Sequence, residues 1–331
     1  MSDTNQAPTP QTTPINYGGQ AVLEGVMMRG SKALSVAVRN PQGDIIVHTE
    51  PLDARIYGGK VARVPFVRGL TLLWDALGLG IKSLMFSADV ALDEEPKEQG
   101  APPSKAFEGP AQAGMIALSL SLMILLFFVL PAFLAGAAER WLGTAATPII
   151  GHLIEGFMRL ALLIGYIWTI GFMPDVKRLY GYHGAEHKTI NAYEAGAELT
   201  PKSVARFPLE HPRCGTAFLL TVVVISIILY SLLPPMGLGV RILSRLVLLP
   251  VIAGIAYEFL RFTAARQDNA LIRLITKPNL ALQRLTTREP DLGMLAVAIT
   301  AFEQVLAFER GAEVVESTHV AQRAVVVEAG L

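Results

Sequence analysis

The stretch that decides the fold class is AGMIALSLSLMILLFFVLPAFLAGAA, which runs from Ala113 to Ala138 without one charged residue. It is longer than the roughly 20 residues that a helix needs to cross about 30 Å of hydrocarbon. A second uncharged stretch runs from Cys214 to Val240, and Pro234-Pro235 ends its helix because proline has no backbone N–H to donate. Both stretches predict membrane-spanning helices.

Two weaker apolar stretches, Ile154–Met173 and Ile242–Phe259, contain ionisable residues and are predicted to span as well. The chain is 52% hydrophobic and 17% charged, with a mean hydropathy of +0.43, an apolar excess too large for a soluble domain. The sequence therefore predicts a mainly α, polytopic membrane protein with about four transmembrane helices. A small α+β region precedes the spans and a helical region follows them, both cytoplasmic.

The distribution of basic residues gives the predicted orientation. Asp175–Arg213 and the segment after Arg261 are each rich in Lys and Arg, whereas Glu139–Gly151 contains only Arg140. The positive-inside rule then places both termini and the connection at 174–213 in the cytoplasm. Lys plus Arg equals Asp plus Glu at 28 each, so the charge balance predicts no nucleic-acid partner.

The predicted organisation follows these spans. The segments are a disordered tail at 1–16, a cytoplasmic α+β region with an interfacial helix at 17–92, a linker at 93–112, a four-helix membrane domain at 113–260, a cytoplasmic helical region at 261–310 and a tail at 311–331. The membrane domain includes the His/Glu-rich cytoplasmic loop at 174–213.

Within the first cytoplasmic region, Ser35–Val38 and Asp44–His48 are β-prone and flank Asn40-Pro41-Gln42-Gly43, which predicts a hairpin turn. The stretch Phe66–Ala88 is mostly apolar, but its charges at Arg68, Asp75 and Lys82 predict a helix on the membrane surface. Whether that helix enters the lipid is open at this point.

In the second cytoplasmic region, Thr286-Thr287-Arg288-Glu289 resembles a capping box and predicts a helix that begins near Pro290. An apolar stripe suits this helix for packing on the rest of the cytoplasmic portion. Its members are Leu295, Ile299, Phe302 and Leu306.

Two pairs of charges fall within predicted spans, Glu155 with Arg159 and Arg241 with Arg245, each spaced so that its members share a helix face. A charge at that depth costs roughly 2.5–3.5 kcal/mol unless it is paired or reaches the headgroups. We expect Glu155 to face an arginine of the fourth span. The alternative is that all four side chains extend to the headgroups.

The candidate chemistry lies in His183-Gly184-Ala185-Glu186-His187. On a helix the two imidazoles lie about 40° apart on one face, as two ligands of one metal require. Glu194 falls on the same face, and two histidines with a carboxylate are a common ligand set for zinc. The order His-x-x-Glu-His also matches the reversed zinc-protease signature, in which Glu186 would be the general base. A structural hydrogen-bonded network is the alternative.

Further residues are candidates for the same site. His211, Cys214 and Glu258 are predicted to lie at the depth of His183, so each could complete a coordination shell. Glu24 and Arg29 could reach the site or form a structural ion pair, and Gly18-Gly19-Gln20 favours a glycine-permitted turn.

Four blocks of sequence resemble the YqhQ-like family of bacterial membrane proteins, and the resemblance extends from about Tyr17 to Leu306. They are GGQAVLEGVMMR from Gly18, YHGAEHKT from Tyr182, HPRCGT from His211 and LTTREP from Leu285. The resemblance implies a location in the bacterial cytoplasmic (inner) membrane and a metal-dependent enzyme without an assigned reaction.

The sequence thus favours a metal-dependent hydrolase at the cytoplasmic membrane face, with a divalent metal, zinc, as cofactor. His183 and His187 would be ligands, with Glu194 or His211 as the third, and Glu186 would be the base. Two alternatives stay open: a non-catalytic membrane scaffold, and a small transporter that uses the charges within the spans. The bilayer is the predicted partner, and a homo-oligomer is compatible with the sequence.

Overall fold

A computed structural model describes residues 17–57, 64–91, 110–143, 148–234, 236–311 and 318–320. The predicted tail at 1–16, the predicted linker up to residue 109 and the C-terminal tail other than 311 and 318–320 lie outside the described residues.

The described chain forms five strands and thirteen helices. The strands are β1 Gly18–Val22, β2 Gly25–Arg29, β3 Ala33–Arg39, β4 Ile45–Pro51 and β5 Thr318–Val320. The helices are α1 Ala54–Tyr57, α2 Gly69–Trp74, α3 Gly80–Ala91, α4 Pro110–Ile124, α5 Leu130–Leu142, α6 Pro148–Ile170, α7 Pro174–Glu194, α8 Pro201–Val204, α9 Gly215–Ser231, α10 Leu238–Val247, α11 Leu249–Ala264, α12 Ala270–Thr286 and α13 Leu292–Glu309. Single π-helical turns, Asp75–Leu79 and Leu125–Val129, join α2 to α3 and α4 to α5.

The strands form one antiparallel sheet in chain order, β1-β2-β3-β4-β5. The predicted hairpin is confirmed as β3 and β4, with Ala37 opposite Val47. Its turn closes where the Gly43 amide donates to the Asn40 carbonyl at 3.0 Å, and Gly43 has a φ of +96° that favours glycine. Within the segment predicted as a tail at 311–331, Thr318–Val320 forms β5, which pairs with β4.

Helices α7 and α13 cover the sheet and share its core. Tyr182 and Ile190 of α7 join Phe302 and Leu295 of α13 in a cluster with side chains of β2 and β3. All four members of the apolar stripe predicted for α13 are buried, which confirms the packing that the stripe predicted. The first and last cytoplasmic regions predicted from the sequence are therefore parts of one α+β unit, together with the connection at 174–213.

The start of α13 differs from the prediction. Thr286 ends α12 and Thr287 follows as its C-cap, so the predicted capping box at 286–289 does not begin a helix. Asp291 caps α13 instead, because its carboxylate accepts from the Met294 amide at 2.7 Å.

Among the described residues, three helices are long and apolar enough to cross a membrane, and a bent pair would make a fourth. The three are Ala113–Trp141, Ile149–Ile170 and α13, but half of the apolar window of α13 is buried within the protein. The predicted second stretch, Cys214–Val240, is not one helix: it contains the 17 residues of α9 and, after a break, the start of α10 at Leu238. Mainly helical architecture with a small antiparallel sheet and three to four apolar helices is thus present.

The predicted fourth stretch is broken. Helices α10 and α11 meet at Leu248 with a bend of 44°. Pro250 lies in the first turn of α11, where it cannot donate a backbone hydrogen bond to the preceding turn. Arg241 and Arg245 therefore lie on α10 and not on the longer apolar helix that follows it.

The apolar helices are joined through one buried carboxylate. Glu155 of α6 accepts from Arg245 through both carboxylate oxygens at 2.9 Å, and also from Arg159 at 2.8 Å. Arg241 lies 3.4 Å from Glu155 and donates to Glu139 at 2.7 Å. The prediction that Glu155 faces an arginine of the fourth span is confirmed by Arg245, which lies within the predicted stretch Ile242–Phe259.

Candidate metal centre

Helix α7 carries the paired histidines, and its local sequence explains its position. Pro174 in the first turn and Asp175 beside the free N–H groups favour a helix start there. At Gly184, a side chain would place a Cβ 2.2 Å from the Arg288 carbonyl oxygen and 2.8 Å from the Leu209 side chain. Glycine therefore lets α7 lie directly against the backbone that follows α12.

That close approach orients both imidazoles of α7. Nδ1 of His183 lies 2.8 Å from the carbonyl oxygen of Thr286, and Nδ1 of His187 lies 2.5 Å from that of Leu209. A carbonyl only accepts, so each Nδ1 carries the proton and donates it. Each Nε2 is therefore the nitrogen left for Cys214 or a metal, and the two rings lie 4.4 Å apart between centroids. This is the carbonyl-held arrangement found around metal-ligating histidines.

Cys214 adds a sulfur to these nitrogens. It caps the N-terminus of α9, where its Sγ accepts from the Thr216 amide, and it lies 3.2 Å from Nε2 of His183. Ligand atoms of His183, His187 and Cys214 all lie within 4.8 Å of one another. Residues from two helices, 31 positions apart in sequence, thus converge on one point.

His211 borders this group. Its ring centroid lies 5.7 Å from that of His187, and its Nδ1 donates to Asn191 Oδ1 at 2.9 Å. The Asn191 amide in turn donates to the carbonyl oxygens of Pro208 and Glu210, which sets its oxygen toward the imidazole. His211 therefore donates through Nδ1, as the two histidines of α7 do.

Glu186 lies beside the histidines and against strand β1. The Gly19 amide donates to its carboxylate. A Cβ at Gly19 would lie 3.0 Å from Cδ of Glu186 and 2.5 Å from the Met27 carbonyl oxygen, so only glycine allows this approach. Gly18-Gly19-Gln20 is thus part of an edge strand, in contrast to the predicted turn, and it brings a backbone donor to Glu186.

Several buried polar atoms of this group have no hydrogen-bond partner among the described residues. They are Oε2 of Glu186, Nε2 of His187 and Nε2 of His211. Buried polar atoms in folded proteins are paired in the great majority of cases, because an unpaired one costs about 1–3 kcal/mol. The atoms left unpaired are those that a metal ion or a substrate would contact.

The electrostatics of the group favour a thiolate. Burial disfavours an anionic sulfur, but the imidazoles of His183 and His187 outweigh it and hold the pKa of the Cys214 thiol well below its usual value. Burial also opposes a charged His183, yet the Cys214 sulfur and Glu186 raise the pKa of His183 to about 9. Burial, with the neighbouring His187, lowers the pKa of His211 to about 3.

Burial acts in the opposite direction on Glu186, whose pKa it raises above the usual value. A carboxyl whose pKa lies closer to neutrality both accepts and returns a proton more readily than a surface glutamate does.

Four residues that the sequence predicted as site candidates contact residues outside the histidine cluster. Glu194 pairs with Arg213 and is partly exposed, so the structure does not bring it to the cluster as a third ligand. Glu258 pairs with Arg68, at 2.5 and 2.6 Å, and accepts from the Phe66 amide, so its described contacts do not include the histidines.

The N-terminal candidates are likewise separate from the cluster. Glu24 accepts from Arg178 at 2.5 and 2.6 Å and from the Tyr182 hydroxyl at 3.2 Å, which makes it the structural partner of α7. Arg29 lies over the ring of Tyr57, with its guanidinium carbon 5.3 Å from the centroid.

The residues present fit a metal of the zinc type. Two or three neutral imidazoles and a thiolate form the N/S donor set that zinc prefers, and second partners already hold each imidazole. His183, His187 and Cys214 would be the ligands, with His211 next to them. The sequence indicates Cys214 as one of several candidate ligands. It does not indicate Gly19, which orients Glu186, or Asn191, which orients His211, because neither residue belongs to a metal-binding motif.

Comparisons with known proteins identify the family of this chain. The model of a family described as "Protein of unknown function (DUF1385)" matches residues 64–308. A Bacillus subtilis (strain 168) protein called "Uncharacterized protein YqhQ" is 34% identical over 302 residues, which cover 89% of this chain and 94% of that protein. No solved structure matches. The chain therefore belongs to the DUF1385 family and is similar to this YqhQ protein.

Proposed function

We propose that this chain is a multi-pass protein of the bacterial cytoplasmic membrane that carries a metal-dependent hydrolase site at the cytoplasmic face. The observation that carries the proposal is the convergence of oriented histidines, a thiol and Glu186, with polar atoms that are buried and unpaired.

Exposed apolar side chains support the membrane location. Leu118 and Leu122 of α4, Phe157 and Trp168 of α6 and Ile228 of α9 are each exposed by more than half. Contiguous exposure of large apolar side chains on helices of this length is typical of a surface that faces lipid. Basic residues in 175–213 and after Arg261 then favour a cytoplasmic α+β unit and cytoplasmic termini.

The donor set supports zinc as the metal. His183, His187 and Cys214 would hold the ion, with His211 as a further ligand. When bound, zinc supplies Lewis acidity to a substrate or to water.

Glu186 is the general base of the proposed reaction. Its raised pKa and its unpaired Oε2 suit it to accept a proton from water and to return it to the leaving group. The Gly19 amide holds the other side of the carboxylate in position. A site at the inner end of α9 favours a lipid-linked or membrane-embedded substrate, because such a molecule reaches that depth by lateral diffusion.

Metal analysis of the purified protein tests the ligand assignment. We expect one zinc per chain in the natural protein and none in the His183→Ala/His187→Ala variant, since two of the proposed donors are removed. His48→Ala, which changes a partly exposed histidine of β4, is the matched control and should keep the metal. Full zinc occupancy in the double variant would contradict the assignment.

The hydrolase assignment needs a second measurement. Zinc-loaded protein in liposomes is incubated with ester, amide and phosphodiester lipids, and products are followed by mass spectrometry. We expect turnover by the natural protein and its loss in Glu186→Gln, with zinc content unchanged. Equal turnover by both proteins would remove Glu186 as the base, and zinc binding without any turnover would favour the scaffold alternative.

A further inference from the structure

The segment that links the sheet to the apolar helices has an unusual surface. Between residues 64 and 77, six large apolar side chains are each at least 40% exposed. They are Val64, Phe66, Val67, Leu70, Trp74 and Leu77. So many exposed apolar groups in so short a stretch would be unfavourable in water, and they indicate contact with an apolar partner.

The start of this segment packs on the middle of α11. A Cβ at Gly69 would lie 2.8 Å from Cα of Gly254, and one at Gly254 would lie 2.7 Å from the Phe66 carbonyl oxygen. The two backbones therefore touch through paired glycines. Gly254 is ten residues before the end of α11 at Ala264, or about 15 Å along the helix. Phe66 thus lies well inside the apolar length of α11.

The charge at this depth is neutralised within the protein. Arg68 donates to both oxygens of Glu258 at 2.6 and 2.5 Å, and the Phe66 amide donates to the same carboxylate at 3.1 Å. A charge pair with its hydrogen bonds satisfied is the form in which ionisable groups are tolerated at membrane depth. Arg68 was one reason to predict a helix on the membrane surface, and this pairing removes that reason.

The other end of the segment is attached to the sheet. Ser87 of α3 accepts from the Leu23 amide at 3.2 Å, and Val90 packs in a core shared with β2 and β3. Lys82 pairs with Glu50 of β4, so its charge belongs to this end. The nineteen residues from Gly69 to Ser87 correspond to about 27 Å of helix, which suffices to run from the sheet into the hydrocarbon.

We infer that residues 64–79 form a re-entrant element that enters the cytoplasmic leaflet beside α11 and contacts lipid acyl chains. The inference rests on the membrane location proposed above and goes beyond it, because it assigns a lipid-contacting role to a segment outside the predicted spans. Backbone at that depth is tolerated where it is helical or packed on protein. Residues 69–79 are helical, and the turn before them packs on α11.

Depth-dependent quenching of tryptophan fluorescence tests the inference. The three natural tryptophans, Trp74, Trp141 and Trp168, are changed to phenylalanine, and Phe66→Trp supplies the single probe. The protein is placed in liposomes with lipids brominated either near the glycerol backbone or near the end of the acyl chain. We expect stronger quenching of the probe at 66 by the deeper bromines.

Two matched variants in the same background calibrate the result. Leu118→Trp on α4 should be quenched by the deeper bromines, and Gln42→Trp in the β3–β4 turn should be quenched by neither. Deep quenching at 118 with only shallow quenching at 66 would overturn the inference and leave the membrane location intact. Absence of quenching at 118 would overturn both.

A second probe position is available if the first variant folds poorly, and the two probes together test whether a second copy of the chain covers this surface. Val67→Trp replaces Phe66→Trp if that variant does not fold, and the same depth order is expected. If neither probe is quenched while the chains cross-link to one another through this segment, a second copy of the chain covers the surface and the lipid assignment is wrong.

Discussion

Two buried glutamates near opposite ends of α9 have contrasting surroundings. Near Ser226, Glu155 is surrounded by Arg159, Arg241 and Arg245, and both of its oxygens accept charged hydrogen bonds. Beside Cys214, about 18 Å away along the helix, Glu186 receives the Gly19 amide, and its Oε2 has no partner among the described residues.

This difference in hydrogen bonding distinguishes a carboxylate that stabilises the fold from one that is available to a ligand. A buried carboxylate with charged partners on every oxygen has no free lone pair for a ligand, and its main effect is to join helices. A buried carboxylate with one unpaired oxygen beside imidazoles is held in place by the fold, and that oxygen is available to a proton or a ligand. We therefore assign Glu155 to the fold, whereas Glu186 is the residue for which we propose a chemical role.

The largest expected effect follows from removing the structural carboxylate. Glu155→Leu leaves Arg245, which is fully buried, and Arg159 without their charge partner. We expect a loss of about 3–5 kcal/mol in the free energy of unfolding in detergent, the usual cost of an uncompensated buried charge. Denaturant titration monitored by circular dichroism measures it.

Two further variants sharpen this result. Glu155→Leu/Arg245→Leu should lose less stability than the single change, because it removes both members of the bidentate pair. Glu139→Gln, whose side chain is about a third exposed, should lose less than either. A stability of Glu155→Leu equal to that of the natural protein would show that the three arginines do not depend on this carboxylate.

The sequence predicted the structural charges better than the reactive ones. Glu155 and Arg245 were predictable because lipid makes an unpaired charge costly, which leaves few partners for each ionisable residue within an apolar stretch. The β3–β4 hairpin and the buried stripe of α13 were predictable from local turn chemistry and helical periodicity.

The cluster was predictable only where its geometry is local. His183 and His187 are four residues apart on one helix, so helical spacing alone brings them together. Cys214, His211 and Gly19 reach the cluster through tertiary packing, and spacing along the chain does not encode that. Glu194 was predicted as a ligand because helical spacing places it on the same face as His183. In the structure it pairs with Arg213 instead.

The second prediction concerns metal and stability. If the cluster binds zinc only when folded, excess free zinc should stabilise the protein by about 2.7 kcal/mol at a concentration 100 times the dissociation constant. The metal-free protein is titrated with zinc and its thermal unfolding is followed. The His183→Ala/His187→Ala variant should show no such gain, and an equal gain in both would place the zinc elsewhere.

The third prediction separates His211 from the ligands of α7 and α9. Asn191→Ala removes the oxygen that accepts from Nδ1 of His211, so the ring loses its orientation. Loss of such a partner lowers metal affinity by about 10–100-fold where the histidine is a ligand. Competition with a chelator dye measures the affinity. An unchanged affinity would mean that His183, His187 and Cys214 hold the metal without His211.

The smallest effect is expected at Glu194, and it tests the boundary of the cluster. Because its pair with Arg213 is partly exposed, Glu194→Gln should change the free energy of unfolding by no more than about 1 kcal/mol. Zinc content and affinity should be unchanged, since the carboxylate already has a partner outside the group of ligand atoms. The same measurements on Arg213→Gln control for release of Glu194 from its pair. A loss of zinc affinity in Glu194→Gln alone would mean that the carboxylate leaves Arg213 to join the metal, which would return it to the ligand set.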